Sequence, residues 1–153
     1  MKETRVIGID PGSYKTGYAV LEIHNNSYKL LTSGTILAKK KPENLKKIFE
    51  ELNTVIKDFL PDEIALESSF YGKNPQTLIR LGEIRGVILL VSSINDTPIF
   101  EYTPQQIKSA VTGYGWAKKE DVLEMVTRLF QVTPKHQDEA DAIATAFCHF
   151  LSR

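Results

Sequence analysis

The chain has one cysteine, Cys148, in 153 residues. No intramolecular disulfide can form, and a reducing compartment fits. Cys148 lies in an apolar stretch and reads as a small buried hydrophobe. Long hydrophobic runs are also missing: the longest aliphatic stretch, Val87–Val91, is far short of the ~20 residues a membrane span requires. No apolar run of signal-peptide length follows Met1-Lys2-Glu3-Thr4-Arg5, so no secretory signal is expected, and the predicted location is the cytoplasm. Net charge is absent, with 19 Lys and Arg against 19 Asp and Glu. That balance excludes a simple basic nucleic-acid coat, although an average can conceal a segregated distribution. No repeat, low-complexity tract or linker interrupts the sequence, which reads as one domain over residues 1–153.

What is present is the composition of a globular core, 42% hydrophobic and 25% charged. A chain of this size buries roughly 70% of its unfolded surface. Arg5–Ile9 reads as a buried strand stopped by the turn Asp10-Pro11-Gly12. Gly17–Ile23 and Tyr28–Leu37 follow as strands across short turns, which predicts an antiparallel meander. After Pro42, Leu45, Ile48, Phe49, Leu52, Ile56 and Phe59 recur at helical spacing up to Pro61. Glu63–Leu66 is a short strand, Asn74–Ile94 a long helix and Pro98–Tyr102 a fifth strand. Thr103-Pro104-Gln105-Gln106 has the form of a helix start, with threonine as cap, proline first and glutamine completing a capping box. Lys118–Phe130 and Asp138–Leu151 complete the helices. Three strands followed by alternating helix and strand predict an α/β domain with a mixed sheet.

Four acids stand at element ends: Asp10 after the first strand, Glu67 after the fourth, and Asp138 and Asp141 at the start of the last helix. Singly, each has an ordinary reading. Asp10 suits a Pro-Gly turn, Glu67 a solvated strand end, and the pair Asp138 and Asp141 the positive end of a helix dipole. Together they say more. If the first and fourth strands are parallel neighbours, Asp10 and Glu67 sit side by side at the edge where open α/β sheets place their crevice. The last helix can bring Asp138 and Asp141 there, three apart and on one face. Such carboxylates repel one another unless cations intervene. An all-oxygen donor set selects Mg²⁺ or Mn²⁺ over zinc. Two such ions about 4 Å apart suit phosphodiester hydrolysis.

These residues carry a resemblance. Gly8-Ile9-Asp10-Pro11-Gly12, Glu67-Ser68-Ser69-Phe70-Tyr71-Gly72-Lys73-Asn74, Gly82 to Gly86 and Asp138-Glu139-Ala140-Asp141-Ala142 closely resemble RuvC-type Holliday-junction resolvases, from about Arg5 to Leu151. The resemblance implies an RNase H-like fold, a five-stranded mixed sheet with helices on both faces. It implies a homodimer that nicks two opposed strands of a four-way DNA junction symmetrically, in recombination and repair. It also implies a branch-migration helicase as partner. Asp10, Glu67, Asp138 and Asp141 match the family's metal-binding carboxylates, which hold two Mg²⁺ per site, with Mn²⁺ as substitute. Lys108 and Lys119 match its basic positions near the scissile phosphate, and Phe70 its base-contacting aromatic. Glu139 departs from the small residue common there and is expected to face solvent.

Further DNA contacts are expected from Tyr71, Lys73, Arg80, Arg85 and Lys118, with Gly113-Tyr114-Gly115-Trp116 read as a mobile loop. Lys39–Lys41 with Lys46 and Lys47 reads as a solvated cluster, and His136 as an ordinary loop histidine or an auxiliary ligand. Gly82 and Gly86 lie four apart within a helix, each costing ~1 kcal/mol relative to alanine. Their spacing clears a face for close approach, either of a second copy across a dimer interface or of the chain's own sheet. Setting the four site carboxylates aside leaves fifteen acids against nineteen bases, an excess of four positive charges per protomer. Three rivals remain: an RNase H-like nuclease acting on RNA or another branched nucleic acid, a non-catalytic junction-binding scaffold, and a nucleotide-binding domain of the actin type. The last needs a second lobe that 153 residues cannot supply.

Overall fold

Alternation along the first strand sets the layering of the protein, whose computed structural model describes residues 3–68 and 72–153. In β1 (Thr4–Asp10), Val6 and Gly8 face one side and Ile7 and Ile9 the other, as a period of two demands. β2 (Lys15–His24) and β3 (Ser27–Leu37) continue it as an antiparallel meander. α1 (Glu43–Phe59) then crosses to β4 (Glu63–Glu67), which pairs parallel with β1. α2 (Pro75–Ile94) leads to β5 (Ile99–Tyr102), parallel to β4. The sheet order is β3-β2-β1-β4-β5, the mixed five-stranded sheet the sequence predicts.

Two apolar clusters cover the two faces. Ile7, Ile9, Val20, Ile64 and Leu66 meet Ile48, Leu52 and Ile56 of α1 and Ile84, Ile88 and Val91 of α2. The opposite face carries smaller side chains, among them Ala19 and Ala65. Against it lie α3 (Pro104–Thr112), α4 (Lys119–Phe130) and α5 (Gln137–Ser152). The capping box opening α3 forms as its sequence predicts: Thr103 Oγ1 accepts from the Gln106 amide at 3.2 Å, and Gln106 Oε1 from the Thr103 amide at 2.8 Å.

α5 is the innermost helix, touching β1 to β4, α3 and α4. Its Ala142, Ala144 and Ala146 are fully buried. A methyl group at Gly8 would stand 2.3 Å from the Ala142 carbonyl oxygen, and one at Gly17 would stand 1.8 Å from that of Asp138. Glycine is therefore required at both positions, because helix backbone rests directly on strand backbone.

α2 is the opposite case. Leu81, Ile84, Ile88 and Val91 are buried, yet Ile79, Leu89, Leu90 and Ile94 are exposed on its outer side. Gly82 and Gly86 are exposed with nothing within 4 Å of where a Cβ would lie, so they do not pack on the protomer's own sheet. No helix among the described residues is long and apolar enough to cross a membrane.

Candidate active site

Strand parity and register build the site. Ile9 lies opposite Leu66 in the parallel β1–β4 pair, so the residues that follow, Asp10 and Glu67, end neighbouring strands side by side. Asp10 shares the parity of Val6 and Gly8, and Glu67 that of Ala65, so both point toward α5. The contact at Gly17 fixes the first turn of α5 over β2, with Asp138 and Asp141 beside the two strand ends. One carboxylate oxygen each from Asp10, Glu67 and Asp141 forms a trio within 4.8 Å of one another. Asp138 lines the same cavity of about 320 Å³ without joining the trio.

The electrostatics follow from the crowding. Asp10, only 7% exposed, is pushed well above the ordinary carboxylate range. Burial is the main cause, followed by the charges of Glu67, Asp141 and Asp138. Burial and the charge of Asp141 push Glu67 up to about 7, against a hydrogen bond with Asp10 and the pull of Lys119 and Lys108. Asp141 is raised by burial and, to a lesser degree, by Asp138. The Gln137 amide, which donates to Asp141 Oδ1 at 3.0 Å, opposes that shift together with Lys119 and Lys108.

Lys73, Lys108 and Lys119 line the cavity with the four acids. Lys118 is exposed at the cap of α4, where its amide donates to Asp121 Oδ2 at 2.9 Å. Arg80 and Arg85 are engaged within the protein. Arg80 donates to the Ser13 carbonyl at 2.6 Å and to that of Lys39, and lies 4.7 Å above the Tyr14 ring. Arg85 pairs with Glu101, whose carboxylate also accepts from Ser68 at 2.6 Å. Phe70 and Tyr71 lie outside the described residues. In the basic cluster, Lys41 pairs with Glu83 at 2.7 Å, and Lys47 donates to the Leu37 carbonyl. His136 stands at the cap of α5, where its carbonyl accepts from the Glu139 amide at 3.2 Å.

Glu139 does not face solvent as its sequence position predicts. Its Oε2 accepts from the Ser33 hydroxyl at 2.6 Å and its Oε1 from the Lys135 amide at 3.2 Å. The seating of α5 on Gly17 carries Glu139 toward neighbouring β3, where it ties the helix start to the sheet. Sequence reasoning also passed over Gly8 and Gly17 as helix seats and Gln137 as the partner of Asp141. The signal for the seats was available: glycines in two buried strands, set against a helix with alanine at 140, 142, 144 and 146.

An all-oxygen group of buried and half-buried, mutually repelling carboxylates is the donor set a hard divalent cation requires, and the trio fits Mg²⁺ or Mn²⁺. Comparison with known proteins agrees with this chemistry. The family model described as crossover junction endodeoxyribonuclease RuvC matches residues 6–149. The crossover junction endodeoxyribonuclease RuvC of Pseudothermotoga lettingae is 44% identical over 153 residues, covering 97% of this chain and 94% of that one. That of Petrotoga mobilis is 46% identical over 149 residues, covering 94% and 91%. Among solved structures, Thermus thermophilus RuvC in complex with a Holliday junction substrate superposes with a TM-score of 0.89 at 27% identity, covering 97% of this chain and 94% of that one. The chain belongs to the RuvC family of crossover junction endodeoxyribonucleases, with the RNase H-like fold its sequence implied.

Proposed function

We propose that the protein is a homodimeric Holliday-junction resolvase that makes paired, symmetric nicks in four-way DNA, with two Mg²⁺ held per site. The observation that carries this reading is the carboxylate trio at the ends of β1, β4 and α5, in one cavity with Lys73, Lys108 and Lys119. Asp10, Glu67 and Asp141 would hold one cation, with Asp138 beside them for a second. When bound, the cations supply an activated water and charge stabilisation at the leaving oxygen. Burial and mutual repulsion favour the protonated carboxyls, and ligation requires the carboxylates, so metal affinity rises with pH. Lys108 and Lys119 neutralise the phosphate entering the cavity, and Lys73 extends the positive rim. By resemblance, Phe70 contacts a base near the cut, with Tyr71 beside it.

A four-way junction offers two equivalent strands, and a two-fold dimer presents one site to each. The outer side of α2 supplies the surface: Gly82 and Gly86 open a close approach, flanked by the exposed Ile79, Leu89, Leu90 and Ile94. A helix apolar on both sides needs a second partner besides its own sheet. The resemblance extends the reading to a branch-migration helicase acting on the same junction in the cytoplasm. Support for the substrate comes from the superposition on the Thermus thermophilus protein, described with a Holliday junction.

The test compares nicking of a labelled mobile four-way junction with that of linear duplex in Mg²⁺, with Asp10→Asn as the blank. Symmetric cuts confined to the junction and absent from the variant are expected. Equal cutting of duplex or of RNA would leave the site standing and remove the substrate.

A further inference from the structure

Trp116 is the chain's one tryptophan and is 83% exposed. Isolated exposed apolar residues are ordinary, but tryptophan has the largest ring to leave in water, and this one is not isolated. The Tyr114 ring, itself 36% exposed, lies 5.3 Å from it with the planes tilted by 36°.

The turn that carries the two rings is braced from both sides. Gly113 takes the left-handed conformation at φ 95°, and its amide donates to the Ser109 carbonyl at 2.9 Å. The Thr112 hydroxyl donates to the Lys108 carbonyl at 2.7 Å and accepts from the Tyr114 amide at 3.3 Å. Beyond the rings, Ala117 is 3% exposed, and its amide reaches the Tyr114 carbonyl at 3.4 Å. The turn is therefore anchored on an interior alanine while both aromatics are held outward.

Its flanks carry the cations of the site. Lys108 precedes the turn and Lys119 follows it; both line the carboxylate cavity, and Lys118 is exposed between Ala117 and Lys119. Trp116 is three residues from Lys119, so their Cα atoms are at most about 11 Å apart. Of the two acids that follow, Asp121 is engaged in capping the Lys118 amide, which leaves Glu120 as the exposed carboxylate. Paired aromatics beside a lysine-lined path are what a single strand needs: cations for its phosphates, π faces for its bases. Tryptophan and tyrosine also anchor protein partners. The lysines on both flanks, two of which line the carboxylate cavity, favour nucleic acid.

We propose that Tyr114 and Trp116 form a base-stacking platform for an unpaired nucleobase of the DNA strand whose phosphates pass Lys118 and Lys119. This rests on the junction-nuclease reading above. The platform holds the strand by a base next to the cut and tolerates any base, because every base offers a π face.

Trp116, as the sole tryptophan, reports on itself. Emission of the native chain is followed while a four-way junction is titrated in Ca²⁺, in parallel with a gel-shift titration. Quenching that saturates at the gel-shift affinity is expected. Trp116→Ala should weaken junction affinity about tenfold and Trp116→Phe by less, with melting temperatures unchanged. Gel-shift binding with unaltered emission, and equal affinity in Trp116→Ala, would overturn the platform. So would emission that moves only on adding a protein partner while Trp116→Ala binds the junction fully. Absence of a gel shift with the native chain would remove the junction reading itself, and the platform with it.

Discussion

β4 and α5 meet at two ends, and the two ends treat buried charge in opposite ways. Glu63, the first residue of β4, accepts at Oε1 from His149 Nε2 at 2.7 Å and from Arg153 at 3.3 Å. His149 Nδ1 lies 2.5 Å from the Tyr102 hydroxyl, and its ring is 4.9 Å from that of Phe100. At that end, imidazole and guanidinium satisfy the carboxylate, and the phenol holds the far side of the imidazole. At the other end Glu67, the last residue of the same strand, faces Asp10 and Asp141, with Lys108 and Lys119 lining the same cavity. One end is completed by the protein, and the other is completed only by something the protein binds. Helix and strand are the same, so the difference lies in the partners, and partners of like charge define the reactive end.

The largest expected effect breaks the reactive end. Asp141→Asn should lower the nicking rate in Mg²⁺ about a thousandfold, since loss of a metal contact removes several kcal/mol of transition-state stabilisation at about 1.4 kcal/mol per decade. The same variant should melt above the native chain in chelator, because a repelling charge is gone. A lower melting temperature there would show that the bond from Gln137 matters more than the repulsion. The completed end should respond in the reverse sense. His149→Ala takes from Glu63 the nearer of its two partners and removes the group bonded to the Tyr102 hydroxyl, and should cost about 3 kcal/mol in urea unfolding, with or without metal. A loss below about 1 kcal/mol would mean that water replaces the imidazole freely.

The gentlest test leaves the sequence alone. Folding raises Glu67 from an ordinary value of 4.5 to about 7, so between those values the folded state holds more protons than the unfolded. Stability in chelator should therefore fall as pH rises from about 4.5 to about 7, and the raised Asp10 adds to the fall in the same sense. Saturating Mg²⁺ should reverse the slope, as cation displaces proton. Melting curves across that range, with and without the ion, decide it. A rising curve in chelator would contradict the crowding of the trio.

Much of this comparison was legible in the sequence, though unevenly. Periodicity and caps placed the elements because those signals are local: the Thr103–Gln106 capping box needs four residues to be seen. The Asp10–Glu67 juxtaposition was legible because a parallel pairing of two strands aligns their last residues. The Glu63–His149 bond joins residues 86 apart and depends on where α5 settles, which no local pattern states. Arg80 and Arg85 show the same limit: their bonds to Ser13, Lys39 and Glu101 join residues 16 to 67 apart and leave no mark in the sequence. Glu139 read as solvated for want of knowing that β3 stands beside it.

The seating of α5 on Gly8 and Gly17 has a consequence for what can vary in the molecule. With no side chain between helix and sheet, the spacing between the strand-borne and helix-borne carboxylates is set by main chain. Rotamer changes in the surrounding core have little purchase on it. A hard cation as small as Mg²⁺ tolerates ligand distances within a few tenths of an ångström. The tolerance of the reaction is thus set by two hydrogen atoms, the glycine side chains, which act as the thinnest shims a polypeptide can provide.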